Sequence, residues 1–179
     1  YQTETEEIKR FTRNFSKEDL QQFYEGLLEQ YVEWARWQAE WKEIRNHTIG
    51  TLPFPFPSYR KGQREMAVAV YRTILSKARL YCQAPTGVGK TISTLFPAIK
   101  AMGEQKTGTI FYLTAKTVTR RAAEDALATL RERGLRIKAV TLTAKEKICF
   151  QEECTCNPDQ CPYAQGYFDR INEVLKKLL

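Results

Sequence analysis

The chain has no run approaching the roughly 18 consecutive apolar residues needed to cross a bilayer, and no basic-then-apolar segment at its start. Neither membrane insertion nor secretion is supported, and the expected compartment is the cytoplasm. Histidine occurs once, at His47, where it reads as a surface residue at the polar end of a helix. Internal repeats and low-complexity segments are also missing. What is present is a core-forming composition: 42% apolar and 12% aromatic residues in a chain of 179 argue against disorder as the default. Cysteine is scarce but concentrated, with four of five in the window 149–161. In a reducing compartment such a cluster points to metal binding before disulfides.

Charge is divided unevenly. Residues 1–56 carry 7 Lys and Arg against 10 Asp and Glu, while residues 57–179 carry 21 against 11. The basic excess belongs to the second part, which suggests a polyanionic partner such as nucleic acid. A solvated basic surface is the plainer alternative. The chain opens on Tyr1, and its last ten residues, RINEVLKKLL, read as a helix with no stop signal. A piece of a longer protein is therefore expected.

Ser16 followed by Lys-Glu-Asp19 has the form of a helix start, an N-cap hydroxyl with acids in the first turn. After it, Leu20, Phe23, Tyr24, Leu27, Tyr31, Trp34, Trp37, Trp41 and Ile44 recur at helical spacing, which predicts one amphipathic helix of about 30 residues with an aromatic stripe. The stripe is expected to pack on another domain or subunit, with nucleic-acid stacking as the alternative. The run LPFPFP at 52–57 must end that helix, because alternating prolines remove donors and impose extended backbone. We place a domain boundary there. Beyond it the pattern predicts a helix at 61–77, a strand at 79–83, a glycine loop, a helix at 90–102, a strand at 108–114, a helix at 117–133 and a strand at 137–142. That alternation implies an α/β fold with a parallel sheet flanked by helices.

The loop is APTGVGKT, residues 84–91, placed between the apolar run Leu80-Tyr-Cys82 and the helix ISTLFPAIK. Strand, loop and helix in this order make a phosphate-binding loop credible. Gly87 and Gly89 let backbone N–H groups turn toward phosphate oxygens at a helix N-terminus, where the dipole favours anions. Ala84, Pro85, Thr86 and Val88 complete the cradle. Lys90 is suited to the β- and γ-phosphates of ATP, and the Thr91 hydroxyl to Mg²⁺. Cys82, on the strand before the loop, is expected in the core.

Four segments in order, PSYRKGQREM (57–66), APTGVGKT (84–91), FYLTAKT (111–117) and AKEKIC (144–149) leading to Cys161-Pro-Tyr163, resemble the front half of the XPD/DinG-like helicases of superfamily two. More narrowly the chain is similar to the Firmicutes-type ATP-dependent DNA helicases in which a PD-(D/E)XK nuclease-like domain precedes the motor. The resemblance covers roughly residues 50–170 and implies a partial RecA-like P-loop domain. By that likeness residues 1–50 are a long helix ending an upstream domain, 51–147 the first part of the motor, and 148–179 the start of a cysteine-rich insertion. It implies that Gln63, with Arg60, forms the element that reads adenine, an amide offering donor and acceptor together. Tyr59 or Phe56 would supply a stacking face. Thr114, Lys116 and Thr117 fall on the segment that grips single-stranded DNA, for which hydroxyls and a cation suit phosphate contacts.

The resemblance also implies that Cys149, Cys154, Cys156 and Cys161 belong to a [4Fe–4S] site beside the DNA path. Their spacing here is far tighter than the family's, so Cys149, Cys156 and Cys161 are favoured as ligands, with a fourth beyond Leu179 and Cys154 the weakest member. Zinc fits four thiolates as readily as iron, and unligated or redox-active thiols remain a third reading. Nothing in the 179 residues matches the acidic Asp-Glu-x-His motif that holds Mg²⁺ and orients water in such motors, and the second motor domain is absent too. The expected function is therefore the N-terminal-side part of a DNA helicase acting on single-stranded or forked DNA, inactive alone and completed by the helicase and nuclease-like portions of a parent chain. The alternative is a non-catalytic nucleotide- and metal-binding module, or a decayed gene fragment.

Overall fold

A computed structural model describes residues 8, 10–115, 117–153 and 155–178. The chain divides into two compact units, Tyr1–Arg136 and Ile137–Leu179.

The first unit begins with the long helix α1, Lys17–Thr51, started as its sequence requires. The Ser16 hydroxyl accepts from the Asp19 N–H at 3.0 Å, and the Asp19 carboxylate accepts from the Ser16 N–H at 3.1 Å. Those bonds hold the Asp19 carboxyl below the usual carboxylate range, with the Ser16 side chain the larger cause. Leu52 caps the other end, where the prolines begin. Three shorter helices follow: α2, Gln63–Leu75; α3, Lys90–Gly103; and α4, Thr117–Glu132.

Helix α3 is the hub. It packs on α2, on α4 and on the end of α1, and buries Ile92, Ser93, Leu95, Pro97, Ile99, Ala101 and Met102. Ala67 of α2, and Ala123 and Leu130 of α4, complete the core. Each large aliphatic side chain so buried contributes about 1.5–3 kcal/mol. Helix α1 buries Ile49 of its last turn in this core, 1% exposed, whereas Leu20, Phe23, Leu27, Tyr31 and Trp34 are exposed. Gly103 makes the junction possible, since a Cβ there would lie 2.4 Å from Ile49 Cγ2. The Lys100 ammonium then donates to the carbonyls of Ile49 (2.7 Å) and Gly50 (3.2 Å) and lies over the Phe96 ring. α1 has no basic residue in its own last turn, so a cation from α3 meets the negative end of its dipole. Partial burial lowers the pKa of that ammonium.

The expected α/β sheet is overturned. Among the described residues no strand forms, and the fold is helical, with α5 (Tyr167–Leu178) in the second unit as the fifth helix. The segments 79–83, 108–114 and 137–142 are irregular and largely open to solvent: Tyr81, Phe111, Leu113 and Leu142 are each 80% exposed or more. Alternating apolar composition gives a segment strand propensity, but a strand exists only once a neighbour completes its ladder, and these three complete none. Cys82, expected in the core, is exposed for the same reason. The helix predictions stand with small shifts of boundary, and His47 is at the surface as expected.

In the second unit a 3₁₀ turn, Lys145–Lys147, precedes the cysteine window. Cys161 is buried, and its N–H donates to the Asn157 carbonyl at 2.8 Å. Phe150 and Tyr163 pack with ring centroids 5.4 Å apart.

Candidate nucleotide-binding site

The loop 84–91 joins the irregular segment 79–83 to the first turn of α3, and two left-handed residues give it its shape. Gly87 has φ +82°, and Gly89, the N-cap of α3, has φ +85°. Gly89 is required on a second ground: a Cβ there would lie 2.6 Å from Gln63 Nε2. The Ser93 hydroxyl, 1% exposed, donates to the Gly89 carbonyl at 2.9 Å and holds the first turn of α3 closed beneath the loop. Lys90 reaches back across the loop, its Nζ donating to the carbonyls of Ala84 (3.0 Å) and Pro85 (2.9 Å). Thr91 stands beside it, with Oγ1 3.5 Å from the Tyr112 hydroxyl.

The segment ahead of α2 brackets this loop. The Arg60 N–H donates to Gln63 Oε1 at 3.0 Å, the Gln63 N–H donates to the Arg60 carbonyl at 3.0 Å, and Arg60 Nη1 donates to the Gly87 carbonyl at 2.6 Å. Gln63 is 2% exposed, so its amide is fixed by packing as well as by the hydrogen bond from Arg60. Beside the bracket is a cavity of about 310 Å³ lined by Phe56, Pro57, Ser58, Arg60, Gln63, Gly89 and Ile92. Of the two aromatics considered for a stacking face, Phe56 lines this cavity, whereas Tyr59 is stacked on Phe54 with centroids 3.9 Å apart. Phe54 also meets Phe96 of α3 edge-on. The arrangement thus places an aromatic face, a fixed amide and a glycine turn at a helix N-terminus around one space, with an ammonium lying across the adjoining loop. Those are the elements for holding a base and a phosphate chain.

Sequence reasoning missed Ser93, Ile92 and Tyr112. Ser93 could have been found as a polar residue on the buried face of an otherwise apolar helix; Tyr112 carried no comparable signal.

The other predicted residues are not gathered in this way. Thr114 is exposed and hydrogen-bonds through its hydroxyl to Thr119 in the first turn of α4. Lys116 lies outside the described residues, and Thr117 opens α4. Of the proposed metal ligands, Cys154 lies outside the described residues, Cys149 and Cys156 are half-buried, and Cys161 is buried. Among the described residues no three His, Cys, Asp or Glu side chains stand close enough to hold a metal.

A DEAD/DEAH box helicase model matches residues 63–162, from the buried Gln63 through the loop to the cysteine window. A protein of Methanocaldococcus jannaschii described as a probable ATP-dependent helicase is 46% identical over 46 residues, 26% of this chain and 7% of that protein. The match thus spans a small part of that relative's length. No solved structure matches. No described helix is long and apolar enough to cross a membrane.

Proposed function

The chain belongs to the DEAD/DEAH box helicase family, and on that premise we propose that it is the N-terminal-side portion of an ATP-dependent DNA helicase, binding Mg-ATP at residues 84–91. The observation that carries this reading is the cavity of about 310 Å³ in which Phe56, Gln63 and Gly89 converge at the start of α3. Adenine would lie against Phe56 with the Gln63 amide at its edge. The triphosphate would meet the N-terminus of α3, where Lys90 would exchange the Ala84 and Pro85 carbonyls for phosphate oxygens, a stronger charge-assisted contact. Thr91 would carry Mg²⁺. In this account hydrolysis draws on an acidic motif and a second motor domain supplied by a parent chain.

The DNA-binding role goes to Thr114, Lys116 and Thr117 within the basic part of the chain, with single-stranded or forked DNA as partner. Residues 1–50 would join the motor, residues 51–147, to an upstream nuclease-like domain through the exposed stripe of α1. Residues 148–179 would begin an insertion in which Cys149, Cys154, Cys156 and Cys161 bind an iron-sulfur cluster or zinc. The compartment would be the cytoplasm. The test is Lys90→Ala in the full-length parent: DNA-stimulated ATP hydrolysis and strand separation should both fall about a hundredfold or more, as when a principal phosphate contact is removed. Unwinding at the wild-type rate would refute the proposal.

A further inference from the structure

We infer that Arg60 is a positioning residue for the phosphate loop, acting through the Gly87 carbonyl to aim the Val88 N–H at a bound phosphate. The inference rests on the nucleotide reading of loop 84–91 and deepens it, since the resemblance places Arg60 with the base-reading element.

The geometry separates the two halves of that element. Gln63 lines the cavity with its amide fixed from one side by the Arg60 N–H. The Arg60 guanidinium instead spans 27 residues of sequence to the Gly87 carbonyl, at 2.6 Å. A trans peptide holds its C=O and the following N–H on opposite sides. A donor that fixes the Gly87 oxygen therefore also fixes the Val88 N–H in the opposite direction. Gly87, with φ +82°, has no Cβ to favour one orientation of this peptide unit, and the Arg60 donor supplies a restraint that the glycine itself lacks. The bond is charge-assisted, which makes it a strong restraint for an exposed contact. At the other left-handed glycine the same bracket acts by occupying space, since a Cβ at Gly89 would lie 2.6 Å from Gln63 Nε2. One two-residue element thus bears on both turns of the loop, by hydrogen bond at Gly87 and by leaving no room for a side chain at Gly89.

Acting through the phosphate loop, Arg60 should matter equally to every ligand that carries a triphosphate, whatever its base. Equilibrium binding of Mg-ATP, Mg-GTP and inorganic triphosphate with Mg²⁺ tests this on the chain and on Arg60→Met and Arg60→Lys. Arg60 is solvent-exposed, and unchanged thermal unfolding would confirm that both variants fold. Arg60→Met, which keeps the length and loses the donors, should weaken all three ligands by a common factor of about ten, equivalent to about 1.4 kcal/mol. Arg60→Lys, which retains a cationic donor, should recover most of that loss. Weakening confined to ATP would overturn the inference in favour of a base-reading role, and unchanged affinity for all three would overturn it outright. Failure of the unsubstituted chain to bind any of the three would remove the nucleotide reading itself, and with it this inference.

Discussion

The phosphate loop and the cysteine window are the two strongest motifs in the chain, and they fare differently in the structure. The loop takes its shape mainly from residues that act within their own few peptides, with Arg60 and Gln63 bracketing it from outside: glycines at φ +82° and +85°, a lysine bonded to carbonyls five and six residues back, and a hydroxyl closing the first helical turn. The window asks separate side chains to converge on a point that no local backbone rule supplies, and among the described residues no three potential ligands stand close enough to hold a metal. Its left-handed residue is a cysteine rather than a glycine, Cys156 at φ +50°. A motif written into backbone conformation folds with its helix, whereas a motif written into ligand spacing needs something further to draw it together.

The largest effect that would break this comparison is expected at Gly89. Gly89→Val places a β-branched residue at φ +85° and against Gln63, so Mg-ATP affinity should fall by about a hundredfold or more, the scale of a lost charged hydrogen bond and its strain. Retained affinity would show that the bracket by Gln63 does not shape the loop. For the cysteine window, the chain should be purified without oxygen and assayed for iron, sulfide and zinc, with Cys149→Ser alongside. Metal content should drop in the variant, and content that does not change would remove Cys149 from the ligand set. The smallest effect is expected at the far end of α3, where Gln105 stands at φ +61° just past the helix and its N–H donates to the Met102 carbonyl. Gln105→Gly relieves a left-handed residue of its Cβ and should raise stability by up to about 1 kcal/mol, read as a higher unfolding midpoint in urea.

The same contrast explains how much could be read from the amino acids. The start of α1 at Ser16, its stop at Leu52, the span of α3 and the loop itself were legible, because capping residues, prolines and glycines each act on the peptides beside them. The sheet was not. Leu80 to Cys82, Phe111 to Leu113 and Val140 to Leu142 have the composition of strands, but pairing depends on a partner that composition cannot name. Cys82 followed its segment into solvent. The Arg60–Gly87 bond and the Lys100 cap on α1 were hidden for a related reason: both link residues far apart in the chain, and an arginine or lysine in the sequence gives no hint of which carbonyl it will find.

The account stands on Lys90 and the loop amides forming a seat for a triphosphate. Titration calorimetry of Mg-ATP into the chain and into Lys90→Ala tests this most directly. Saturable one-site binding to the former, weakened at least about tenfold in the latter, is the predicted result. Equal heats and equal affinity in both proteins would contradict it.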